Sequence, residues 1–124
     1  MKSPFVLSLV LLAAAPLRAQ QPPPPAAATQ VLATLTVKAD AERPAIMKVM
    51  PEEVRDTVKL YLDGKIQQWY SRTDGRGVVF ILNVTSVADA KALTDNLPLV
   101  KANLVTFDYM PLAPLAPLRL LLQP

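Results

Sequence analysis

Residues 77–84 read GVVFILNV, and this stretch decides the fold. A strand with one wet face alternates apolar and polar side chains, yet Val78, Val79, Phe80, Ile81 and Leu82 follow one another without a break. Such a run predicts a strand covered on both faces. A layer of helices can cover one face. The other needs a second cover.

Just upstream, Asp74-Gly75 tolerates positive φ and marks a hairpin, which pairs the run with KIQQWYSR at 65–72. Before that strand lies MPEEVRDTVKLYLDG, residues 50–64. Pro51 suits a helix's opening turn, Glu52 and Glu53 complement its positive start, and Gly64 suits a left-handed stop. Val54, Val58, Tyr61 and Leu62 recur at helical spacing and predict one stripe toward the core. Met47 and Met50 extend that stripe as a separate turn, because Pro51 disfavours helix at the residue before it. VLATLTVKA at 31–39 is rich in β-branched residues and reads as the first strand, with DAERPAI carrying the chain outward.

Downstream, Ser86 and Asp89 form a capping box that opens a second helix. Val87, Ala90, Leu93 and Leu97 face inward, and Pro98 stops it. NLVTFDYM at 103–110 alternates as the last strand, with Val105, Phe107 and Tyr109 on one face and Leu104, Thr106 and Asp108 on the other. The order β-α-β-β-α-β is the split pattern of an α+β, ferredoxin-like domain: a four-stranded antiparallel sheet with two helices on one face. The opposite face is left open.

Two covers for it are conceivable, a second copy's sheet or the chain's own C-terminal tail. That tail, MPLAPLAPLRLLLQP, repeats Pro111, Pro114 and Pro117 every three residues, with Leu112, Leu115 and Leu118 in step. A three-residue extended helix would align those leucines as one ridge. So much apolar surface is not left in water without cause. A homodimer is expected, its sheets face to face, with each tail on the partner or across the mouth between them.

The domain is preceded by two other segments. Residues 1–19, MKSPFVLSLVLLAAAPLRA, carry a positive start at Lys2, a short apolar middle and a small residue at Ala19. They predict a cleaved export signal and a periplasmic or secreted destination, without a stable membrane anchor. Residues 20–29, with four consecutive prolines, read as a semi-rigid linker. The domain then spans 30–124, tail included. The whole chain has 13 Lys plus Arg against 10 Asp plus Glu. Loss of Lys2 and Arg18 with the signal brings the net charge from +3 to +1. No nucleic-acid footprint survives that change. The absence of Cys excludes a disulfide staple and a lipid-modified cysteine.

LDGKI at 62–66, the hairpin DGRGVVFIL at 74–82, the helix SVADAKALTDNLPL at 86–99 and DYMPLAPL at 108–115 together make the domain resemble the muconolactone delta-isomerase-like group of dimeric α/β-barrel proteins. The resemblance implies a ferredoxin-like subunit that associates through stacked sheets and holds a pocket between sheet and helices. It also implies isomerisation of a small unsaturated lactone by proton movement, with neither metal nor organic cofactor. No catalytic position is carried over from it, and an export signal departs from intracellular aromatic degradation.

With no His in the chain, Ser-His and Cys-His pairs and the usual zinc sites are excluded. Carboxylate, tyrosine or lysine remains for proton transfer. Asp108, on the face toward a partner sheet, is a candidate general base if desolvated; at a wet strand end it would pair with Arg72 or Arg76 instead. Glu53 is a second candidate, unless it serves the helix dipole and pairs with Arg55 or Lys59. Trp69 and Tyr70 point to opposite faces, and whichever meets a cavity can stack on a flat ligand, with Gln68 or Gln67 supplying amide contacts. Two functions follow. One is a small-molecule-binding barrel for an apolar or aromatic compound, with cofactor-free isomerase chemistry. The other is a non-enzymatic binding or assembly module whose pocket its own side chains fill. A cavity with a buried carboxyl or tyrosine pointing into it separates them.

Overall fold

The computed structural model describes residues 26–122, together with Lys2, Pro4, Ala13 and Ala14. The expected export signal, apart from those four positions, and the prolines at 22–25 lie outside the described residues. Within them the order is β1 (Gln30–Val37), α1 (Arg43–Leu62), β2 (Ile66–Ser71), β3 (Gly77–Leu82), α2 (Val87–Thr94), α3 (Pro98–Lys101) and β4 (Val105–Leu112), ending in a 3-10 helix (Ala116–Leu122). The four strands form one antiparallel sheet in the order β2-β3-β1-β4. This is the ferredoxin-like arrangement.

Register places Val31 opposite Leu82 and Ala33 opposite both Phe80 and Tyr109, so these side chains share a face. On that face Val31, Ala33, Ile66, Phe80 and Leu82 bury with Ala90 of α2, while Leu35 and Val105 bury with Leu99 of α3. The intervening residues Leu32, Thr34, Val79, Ile81 and Asp108 occupy the other face, where among the described residues no helix packs. The unbroken run at 78–82 therefore has a covered side in Phe80 and Leu82, and a bare, half-exposed side in Val79 and Ile81.

At the hairpin, Arg72 N–H donates to the Gly77 carbonyl at 2.9 Å and Gly75 adopts φ +70°. Asp74 accepts from Arg76 N–H at 2.9 Å and pairs with the Arg72 guanidinium at 2.6 Å. Gly77 is required for another reason. A Cβ there would stand 2.0 Å from the Leu35 carbonyl oxygen.

Three sequence expectations need correction. The first helix starts at Arg43, not at Pro51, and Pro51 sits inside it. Pro44 takes the opening-turn position. Pro51 is exposed, and it costs the helix one backbone donor without ending it. The helix's packed stripe is consequently Ile46, Val49, Met50, Glu53 and Leu60. Val54 is 52% exposed and Leu62 76%, so the expected stripe of Val54, Val58, Tyr61 and Leu62 is not core. Next, the second helix ends at Thr94, and Pro98 opens the short α3 as well as lying beyond α2. Ser86 Oγ does accept from Asp89 N–H, at 3.1 Å. Finally, the tail is not polyproline helix. Pro111 and Leu112 belong to β4, an edge strand that tolerates a missing donor, and the leucines after them lie on the 3-10 helix or just before it.

Candidate functional site

The long α1 packs chiefly on α3 and on β2, and between it and the β1–β3 side of the sheet a cleft of about 870 Å³ stays open. Its walls are mostly apolar: Ile46, Met47, Met50, Val54 and Val58 from the helix face Leu35, Val78 and Phe80 of the sheet. This explains why Val54 and Val58 lie exposed on a helix face that the sequence marks as core. They line a space and touch no packed layer. Pockets of several hundred Å³ with such walls and few polar groups are the usual form of small-molecule sites.

Among the described residues Glu53 is the sole acid in the cleft wall, and it is only 5% exposed. Helical phase from Arg43 turns it inward between Met50 and Thr57, two more lining residues. Its Oε2 accepts from Leu99 N–H at 2.9 Å, which ties α1 to α3. Among the described residues Oε1 has no protein donor, although no buried side-chain oxygen is left without a partner. Burial raises the Glu53 pKa above the ordinary glutamate value; the Leu99 N–H opposes that shift, and the nearby Asp56 charge adds to it. Both roles read for Glu53 as a first-turn acid, dipole partner and mate of Arg55 or Lys59, fall with the longer helix: it lies in the third turn and bonds to α3.

Trp69 takes the helix side of β2. Its ring stacks on Tyr61 with centroids 4.2 Å apart and planes 15° from parallel, and it lines the cleft. Tyr70 and Gln68, two residues apart and exposed, point to the opposite face, where the Tyr70 hydroxyl donates to Gln68 Oε1 at 3.3 Å. Tyr70 also contributes to the cleft's β2 edge, whereas Gln68 joins it only in a smaller groove outside Trp69. Gln67 falls at a register shift between Ile66 and Gln68 and bonds the Gln30 side chain. Asp108 is exposed on the open face, opposite Thr34, and outside the cleft. The ion pair found among the described residues joins Arg72 to Asp74, so Asp108 takes no part in it.

The sequence reading took Met47 and Met50 as an extension of the core stripe and missed the three cations of the cleft wall, Lys38, Arg43 and Arg76. One signal was available. Starting the helix at Arg43 with Pro44 in its first turn puts Ile46, Met50, Glu53 and Thr57 on one line at spacings of three and four.

No protein-family model matches the chain, and no curated protein matches it. Among the described residues no helix is long and apolar enough to cross a membrane, and no three His, Cys, Asp or Glu side chains gather as metal ligands do.

Proposed function

We propose that the protein is an exported homodimer that binds a small, mostly apolar or aromatic molecule between α1 and the sheet, and that it moves a proton on that molecule without a cofactor. The observation that carries this reading is Glu53, a buried carboxyl held by one backbone N–H in the wall of an apolar cleft. A raised pKa makes a carboxylate a better proton acceptor near neutral pH and a usable donor in return. In the reaction class implied by the resemblance to muconolactone isomerases, Glu53 would take a proton from carbon beside a carbonyl. The electron pair shifts through the conjugated system, and the same proton is returned at a more distant carbon. The Leu99 N–H holds the carboxyl's position throughout. Trp69 supplies a flat wall.

Stacking of two sheets through the bare face would cover Val79, Ile81 and Asp108 together. Asp108 would then act at the joint between copies, as a second acid at a distance from Glu53 or as a polar contact. The rival, a binding or assembly module with a filled pocket, is disfavoured by the volume that stays open in the cleft.

Proton transfer is tested by incubating the protein with unsaturated lactones and aromatic acids in deuterium oxide and following C–H exchange by NMR. Exchange that disappears in Glu53→Gln while binding persists is the expected outcome; exchange at an unchanged rate removes Glu53 from the chemistry.

A further inference from the structure

The apolar cleft has a charged end. Val37 N–H donates to the Arg76 carbonyl at 2.8 Å, which fastens the end of β1 to the hairpin. Lys38 follows at once, and Arg43 opens α1 five residues later. Topology thus gathers Lys38, Arg43 and Arg76 where the cleft meets the hairpin and the first turn of α1, and all three line it. Among the described residues neither Arg43 nor Arg76 forms a salt bridge; the Lys38 ammonium donates to the Asn103 side chain. Of the acids in this neighbourhood, Asp74 sets its charge against Arg72 and Arg76, and it does not itself line the cleft. Asp74 is engaged by Arg72 and by Arg76 N–H, while Asp40 and Glu42 are exposed and outside the lining. Glu53 stands further along the helix, at the level of the apolar wall.

From Arg43 to Val58 the lined helix face runs about 22 Å at 1.5 Å per residue, apolar for most of that length. Met47 and Met50 give it an adaptable surface, since unbranched thioether chains conform to irregular ligands. Guanidinium groups favour carboxylates and similar planar or tetrahedral anions through charge-assisted hydrogen bonds.

Resting on the ligand-binding reading of the cleft, we infer that its occupant is an amphipathic organic acid: an extended apolar body along α1, with its anionic head group held by Arg43 and Arg76, and Lys38 beside them. The polarity of the two ends orients the ligand. Its head lies at the hairpin end, and its carbon chain passes Glu53 and ends near Trp69.

Trp69 is the only tryptophan, so its fluorescence reports occupancy of the cleft. The protein is titrated with decanoate and with decanol, both below their self-association limits. The same titrations follow with Arg43→Gln combined with Arg76→Gln, two exposed positions whose loss leaves the core intact. Decanoate should bind about tenfold or more tightly than decanol, and the double variant should abolish that preference without weakening decanol. Equal affinity for acid and alcohol, or a preference that survives the double variant, overturns the head-group assignment and leaves the cleft a ligand site. Failure of both probes to perturb Trp69 overturns the ligand-binding reading as well.

Discussion

Glu53 combines three properties at one residue: near-complete burial, a backbone N–H donor on its carboxylate, and a place in the wall of an apolar cleft. Burial penalises its charged form, so its pKa is higher in the folded chain than in the unfolded one. The stability this group contributes is full below the ordinary glutamate pKa, where it is protonated in both states. It is lost as pH rises through the folded value. Glu53→Gln keeps an oxygen for Leu99 N–H and removes the ionisation. Its melting temperature should gain on the parent's as pH is raised from 4 to 8, measured by thermal unfolding; parallel profiles would show that the carboxyl ionises freely in the fold. A second residue-scale expectation concerns Gly77. Its added Cβ in Gly77→Ala would meet backbone, the Leu35 carbonyl, rather than a flexible side-chain tip. The sheet must shift between β1 and β3, and urea unfolding should register a loss of roughly 2 kcal/mol or more.

α1 carries the same argument at the scale of an element. Its 20 residues hold together across Pro51 because tertiary packing of Ile46, Val49 and Met50 below the proline and Leu60 above it outweighs one missing hydrogen bond. Pro51→Ala restores a donor to an exposed position and should stabilise the domain by roughly 1–3 kcal/mol, read as a higher urea midpoint. A drop in the midpoint would mean that the proline shapes the helix's stand-off from the sheet. α2 ends earlier than its pattern suggests. Thr94 turns its hydroxyl back to the Ala90 carbonyl at 3.2 Å and also contacts the Tyr109 hydroxyl, and the chain then restarts at Pro98. Asn103, at φ +59°, closes α3 with the left-handed residue that asparagine accepts better than most.

For the whole molecule the open face is decisive. Leu32, Val79 and Ile81 are only half-buried there, and Leu115, Leu118 and Leu120 to Leu122 of the tail are exposed instead of folding over it. On a 3-10 helix, residues three apart eclipse, so Leu118 and Leu121 share one side. Two copies stacked through their sheets would bury this surface. Light scattering of the protein should give the mass of a dimer, and Ile81→Lys, which places a charge in the joint without touching the helix-side core, should shift it toward monomer. A parent that is monomeric at micromolar concentration would reject the stacked-sheet assembly.

The element order was legible in the sequence for local reasons. Asp74-Gly75 and Ser86 with Asp89 act within a few residues of chain, and the β-branched run of β1 declares itself by composition, so these signals survive without knowledge of the fold. The run at 78–82 likewise marked both faces of β3 as apolar, although only Phe80 and Leu82 are buried. The site was another matter. Where α1 begins sets the phase of every side chain on it, and that start depends on packing against α3 and β2, residues far along the chain. The same shift of phase turned Glu53 from a first-turn acid into a buried one and moved Val54 and Val58 from the core to the wall of a cleft. Alternation placed Trp69 and Tyr70 on opposite faces, but only the sheet order and the position of α1 decided that Trp69 lies on the helix side, stacked on Tyr61. By itself the sequence determined the strands, the turns and the bare apolar face, because hydrophobic pattern and backbone preference are local. Tertiary structure decided the open volume, because a void is set by how far two packed elements stand apart, and no residue's own chemistry contains that distance.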